Sequence, residues 1–188
     1  MKLIIKNMLS TRCVNYISDI LKAMDISFVS VELGKVNLIN KLSLNQKLDF
    51  KNEIKQEGFE LIENSQSILA ERIKLIIIQM VHYSEENIKT NFSVYLSEQM
   101  KHNYTYLSNV FRAENGISIQ QFIIMNKVER IKTLLLYGEL NLSEIAYKLN
   151  YSSIAHLSNQ FKKITGLSPT NYRQLEVNQR IPIEKIGA

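Results

Sequence analysis

The sequence predicts an α+β chain in two parts, a small sheet-forming N-terminal unit followed by an all-helical one. Three observations predict it. Up to residue 63, short β-like runs are interleaved with two amphipathic stretches. Beyond that point every periodic segment has helical spacing. A helix–turn–helix pattern then occurs twice, with matched positions 50 residues apart.

The first unit reads in order as follows. Leu3–Met8 is a β-like run, and Arg12–Met24 is a helix with Val14, Ile17, Leu21 and Met24 on one face. Ile26–Leu33 alternates as a strand, with Val29, Val31 and Leu33 opposite Ser30 and Glu32. Gly34-Lys35 supplies a two-residue hairpin turn into Val36–Ile39. Ser43 and Gln46 cap a helix that runs to about Glu57, Gly58 stops it, and Phe59–Ile62 is a last strand. The order β-α-β-β-α-β is the ferredoxin-like split unit, and it sets a first domain at residues 1–63.

A strand, a loop and a helix opening with Cys13 resemble heavy-metal-associated domains. That resemblance implies a soft-metal site built on M-x-C-x-x-C. Here Met8 and Cys13 are present, but Ser10 stands where the first cysteine would be. One thiolate and one thioether make a poor set for tight capture. The expectation is therefore no metal and no cofactor. His82, His102 and His156 share no ligand spacing.

Gln66–Tyr83 reads as a joining helix whose apolar residues cover more than one stripe, so it is buried on more than one side. Ser84-Glu85-Glu86-Asn87 caps a short turn after it. Further on, Asn141 and Glu144 form a capping box for a short helix with Ile145, Ala146 and Leu149 on its apolar face. Asn150 suits a left-handed turn. Ser152 can cap the next helix, in which Ile154, Leu157, Phe161 and Ile164 face a core. Gly166 ends that helix, and Ser168-Pro169 opens another turn.

The repeat is explicit. Leu107-Ser108-Asn109-Val110-Phe111-Arg112, Gly116-Ile117-Ser118 and Phe122 return as Leu157-Ser158-Asn159-Gln160-Phe161-Lys162, Gly166-Leu167-Ser168 and Tyr172. A duplicated helix–turn–helix ending FKKITGLSPTNYR resembles the C-terminal DNA-binding domain of AraC/XylS transcriptional regulators over roughly Ser67–Leu175. The resemblance implies two recognition helices joined by a long helix at about Ile119–Tyr137. It departs at Lys101 and His102, where Gly and an aromatic are common, and at Ser97, where a small Ala is usual. Base-contacting positions carry over to Thr105, Ser108 and Asn109 on the first recognition helix, and to Ala155, His156 and Asn159 on the second. Asn at 109 and 159, where Arg is common, favours adenine over guanine. Arg112, Ser152, Ser153, Lys162 and Lys163 are the expected phosphate contacts. These residues set a second domain at 64–175, followed by a loose tail at 176–188.

Net charge of +5 permits an anionic partner without locating it, since both halves carry similar excesses of Lys and Arg. The acid-free run between Glu144 and Glu176 locates it better. A single cysteine excludes an intramolecular disulfide and fits a cytoplasmic location. No signal peptide and no run near ~20 apolar residues is visible, so no membrane partner is expected. No Ser/His/Asp set, paired-carboxylate motif or Gly-rich phosphate loop points to an enzyme. The sequence thus predicts a DNA-binding transcription regulator, with duplex DNA as partner and a homodimer and an RNA polymerase contact as further options. The rival reading is a metal-handling or metal-sensing protein with a helical interaction domain.

Overall fold

The computed structural model describes residues 1–84, 91–174 and 180–187. It divides into two packed units, Met1–Leu75 and Ile76–Ala188. The division falls inside a helix, later than the break at 63/64 that the strand pattern suggests. One fastening of the first half of that helix is visible within unit 1: the Asn7 backbone N–H donates to Glu71 Oε1 at 2.8 Å.

Unit 1 contains β1 (Lys2–Lys6), α1 (Thr11–Ala23), β2 (Phe28–Glu32), β3 (Lys35–Leu38), α2 (Leu44–Gln56), β4 (Glu60–Ile62) and the start of α3 (Ser65–Ile78). The sheet order is β2-β3-β1-β4, every pair antiparallel. Two split β-α-β units are thereby interleaved, as the element order predicts. Leu3, Ile5, Val36 and Leu38 of the sheet bury against Ile17 and Leu21 of α1 and Phe50 and Ile54 of α2. Ser43 and Gln46 close the predicted capping box at α2.

Two details of the hairpin differ from expectation. A bulge between Phe28 and Ser30 breaks the alternation of β2. Val29 is left 73% exposed, while Phe28 and Val31 pack on the core. An extra residue in one strand shifts every earlier side chain to the other face, and alternation alone does not reveal it. The turn is Leu33-Gly34, not Gly34-Lys35, because Lys35 already pairs with Glu32. Gly34 supplies the positive φ (68°) that the turn requires.

In unit 2, α3 runs into a π turn at Gln79–Tyr83. There follow α4 (Phe92–Met100), α5 (Tyr104–Asn115), α6 (Ile119–Tyr137), α7 (Leu142–Lys148), α8 (Ile154–Thr165) and α9 (Pro169–Arg173). The expected turn at Ser84–Asn87 lies, after Ser84, outside the described residues. Leu107, Phe111, Phe122, Ile131, Ile145, Leu157, Phe161 and Tyr172 form the buried centre. The duplication is visible in the packing. Phe111 meets Phe122 at 5.5 Å between ring centroids, and Phe161 meets Tyr172 at 5.4 Å, the same pair 50 residues on.

The face of α8 is narrower than its spacing suggests. Leu157 and Phe161 are fully buried, but Ile154 is 43% and Ile164 50% exposed. Ile154 stands at the first position of the helix, and Ile164 lines an open cleft with Ile117, Ile124 and Met125. The chain end is not loose where it is described. The Ile181 backbone N–H donates to Glu129 Oε2 at 2.9 Å, and Ile186 is buried. Gly187 (φ 76°) lies so near Ile117 that a Cβ would stand 2.8 Å from its Cδ1. What holds the tail is a polar seam on α6, which has no signature in the tail's own sequence. In that seam Glu129 also accepts from Lys132 Nζ at 2.6 Å, and Asn126 Nδ2 donates to the Phe122 carbonyl at 2.9 Å.

Candidate nucleic-acid interface

Each helix–turn–helix is fixed by its caps. Asn91 caps α4 and Asn103 caps α5; Asn141 caps α7 in a capping box with Glu144. At α8 the cap is Ser153, whose hydroxyl accepts the His156 backbone N–H at 3.1 Å. Ser152, the expected cap, instead bonds His156 Nδ1 at 3.0 Å. The chain can enter α8 extended only at the residue directly before its first helical position, and that is Ser153.

Left-handed residues close the first helix of each motif: Lys101 (φ 55°) after α4 and Asn150 (φ 53°) after α7. Equivalent backbone bonds flank them, from His102 N–H to the Ser97 carbonyl (3.3 Å) and from Tyr151 N–H to the Ala146 carbonyl (2.9 Å). Lys101 therefore adopts the conformation for which Gly is the usual residue. The first helices of the two motifs are thus related by 49 residues, with Leu96 and Met100 buried like Ile145 and Leu149. The second helices are related by 50. The difference is one extra turn residue in the second copy, which has Tyr151 and Ser152 where the first has His102 alone.

The expected reading positions lie outward on α5 and α8. Thr105 and Asn109 are exposed and Ser108 is half-buried; Ala155, His156 and Asn159 are exposed. Arg112, Lys162 and Lys163 are exposed on the same helices, and Ser152 and Ser153 stand at the mouth of α8. The 50-residue match pairs His156 with Tyr106, a position the family carry-over does not name. Tyr106 is 42% exposed on α5, and its ring lies 5.3 Å from that of His102. In the second copy the partners are exchanged, Tyr151 in the turn and His156 on the helix, 5.2 Å apart and edge-on. The repeat arithmetic itself is the signal that could have found Tyr106.

Tyr151 also anchors the second turn to the body of the unit. It is buried, its hydroxyl donates to Gln160 Oε1 at 2.6 Å, and Lys127 Nζ stands 5.0 Å from its ring centre. Burial pushes its phenol above the ordinary range. The charges local to these helices favour an anion. The first turns of α4, α5, α8 and α9 hold no acidic residue, so their positive helix ends meet no carboxylate of their own. Cations sit at the far ends of α5 (Arg112) and α8 (Lys162, Lys163).

The loop of unit 1 is built differently. Met8 is fully buried and Cys13 is 5% exposed, both within the core cluster. Cys13 Sγ lies 3.2 Å from Ser10 Oγ, so the hydroxyl in the place of a second thiol is a hydrogen-bond partner. Among the described residues, no group of three or more His, Cys, Asp or Glu side chains could hold a metal ion. No described helix is long and apolar enough to cross a membrane.

Known proteins resemble this arrangement. Residues 96–175 match a helix-turn-helix domain family. The chain is 25% identical over 167 residues to the uncharacterized HTH-type transcriptional regulator YtdP of Bacillus subtilis, covering 87% of this chain and 21% of that protein. It is 24% identical over 105 residues to the melibiose operon regulatory protein of Escherichia coli, covering 55% of this chain and 35% of that one. The chain therefore spans well under half the length of these curated relatives. Among solved structures, the C-terminal domain of AraT, a response regulator from Geobacillus stearothermophilus, superposes with a TM-score of 0.50 at 28% identity. That match covers 63% of this chain and 92% of the AraT domain.

Proposed function

We propose that this chain, which belongs with the AraC/XylS-type transcriptional regulators, reads duplex DNA by placing α5 and α8 in successive major grooves. The observation that carries the reading is the repeated outward face of two capped helices in one chain, α5 and α8, each packed on α6. Successive major grooves on one face of DNA are roughly 34 Å apart, and two recognition helices in one chain can enter both.

The division of labour follows from side-chain chemistry. Asn109 and Asn159 each offer a donor and an acceptor from one amide, the pattern that pairs with adenine. His156 has Nδ1 taken by Ser152, which leaves Nε2 to meet a base edge. Thr105 and Ala155 are short enough to admit a thymine methyl. Tyr106 joins this set on α5. Arg112, Lys162 and Lys163, with the serines and the helix ends, hold phosphates and fix the register.

The test is selection of binding sites from a random duplex pool, followed by footprinting. Two protected patches about one helical turn apart are expected. A single patch, or no enriched sequence, would remove one or both recognition helices from the proposal. Lys163→Ala should weaken all duplexes alike and lower the slope of affinity against salt by about one contact.

A further inference from the structure

A cleft of about 240 Å³ lies within the C-terminal unit, where the π turn, α6 and the chain end meet. Arg130 and Arg180 both line it, with His82, Tyr83, Glu129 and Tyr137 around them. Among the described side chains its charge is unbalanced. The carboxylate of Glu129 is already engaged, one oxygen by Lys132 Nζ and the other by the Ile181 backbone N–H. Among the described side chains no carboxylate pairs with either guanidinium. Arg130 Nε is buried and makes no hydrogen bond to the described residues. A buried donor left unmet is costly, so such a group calls for an acceptor, which a bound anion can supply. Burial first, opposed by Tyr137 and Tyr83 and reinforced by the Arg180 charge, pulls Arg130 below the usual guanidinium range. His82 at the same cleft is held neutral, its pKa pushed down to about 4 chiefly by burial, so it adds no competing cation at neutral pH. The wall carrying His82 and Tyr83 is a π turn, a local distortion frequent at functional sites.

We propose that this cleft binds a small organic anion, its carboxylate or phosphate oxygens held by Arg130 and Arg180 and its body set against Tyr83 and Tyr137. The guanidinium fork matches a planar or tetrahedral oxyanion through paired N–H donors. Aromatic walls in a concave site favour an organic anion over a bare halide. DNA phosphate is the other source of such oxygens, but a duplex backbone does not reach a buried Nε inside a cleft. A ligand there would tie Arg180 on the chain end to Arg130 on α6, and so secure the docked tail.

The experiment uses the full chain without DNA, so its outcome does not depend on the DNA-reading proposal. Inorganic phosphate and benzoate are titrated by calorimetry, with neutral benzamide as control. At least one anion is expected to bind saturably and to raise the melting temperature, and benzamide is expected to do neither. Whether phosphate or benzoate binds more tightly identifies the oxyanion. Arg130→Gln and Arg180→Gln should each weaken binding roughly tenfold or more, while Lys55→Gln, exposed on α2 of unit 1, should not. Arg180 is exposed, so its variant keeps the test interpretable should Arg130→Gln fold poorly. Absence of saturable binding by both anions, or unchanged binding in a folded Arg180→Gln, overturns the proposal. If neither anion binds and Arg180→Gln instead weakens DNA affinity and its salt slope, the guanidiniums are duplex-backbone contacts and the cleft is no ligand site.

Discussion

Acid should loosen the helical unit through one side chain, His82. Its Nε2 lies 3.1 Å from Asn126 Oδ1, and Asn126 spends its own N–H on the Phe122 carbonyl, so the shared proton belongs to His82. Burial pushes the imidazole down to about 4, against 6.5 for the ordinary group. The Asn126 hydrogen bond opposes that shift, and the charges of Arg130 and Arg180 add to it. At neutral pH the ring is uncharged both folded and unfolded, and the depressed pKa carries no penalty. As pH falls below 6.5 the unfolded chain takes up a proton that the folded one refuses. Stability then declines by roughly 1.4 kcal/mol per pH unit, about 2 kcal/mol between about pH 6.5 and 5 and about 3 kcal/mol by pH 4. The upper part of that window lies above most carboxylate titrations. Urea denaturation followed by helical circular dichroism, at several pH values across it, measures the slope. His82→Gln keeps a donor for Asn126 and cannot titrate, so it should remove most of the slope. An equal slope in native and variant protein would show that the imidazole is not buried neutral, and the reasoning would fail.

Three further outcomes are expected. Asn159→Ala should cost about 1–3 kcal/mol at the preferred site and relax base choice there; unchanged affinity and preference in a folded variant would misplace the reading face. A fragment beginning at Asn64 keeps the whole of α3, whose first turn Asn64 caps, and should fold and bind the selected site. Loss of all specific binding in that folded fragment would give unit 1 a part in recognition. Reduced protein titrated with Cu(I) against a competing chelator should take up no stoichiometric ion, because Met8 and Cys13 are packed into the core; tight saturation at one ion per chain would refute this.

The parts of the fold that were legible are those where local chemistry decides. The capping boxes at Ser43/Gln46 and Asn141/Glu144 and the left-handed Asn150 stand where the residues put them. The split order of strands and helices likewise became the expected sheet. What escaped depends on neighbours distant in sequence. Val29 is exposed through a bulge set by pairing with β3, and the first half of α3 is fastened to unit 1 in part by Glu71 meeting Asn7. Ile164 counts as core by spacing, yet it faces a cleft because the opposing wall is incomplete. On the candidate interface, exposure of all but half-buried Ser108 followed from helical phase, but Tyr106 required following the repeat. The cleft around Arg130 was invisible, since its residues come from three separate segments without a shared motif.

The extra turn residue in the second motif makes the pair of copies unequal in build as well as in side chains. A symmetric dimer of identical readers looks the same on DNA from either end. One chain carrying two unequal readers does not. On the proposed mode of reading, the bound complex has a heading: α5 leads toward one end of the duplex, α8 toward the other, and inverting the site turns the whole protein around. Any surface of the chain that must face a neighbouring machine is then aimed by the orientation of its site, and a site inverted in place would be occupied as tightly while aiming that surface the wrong way.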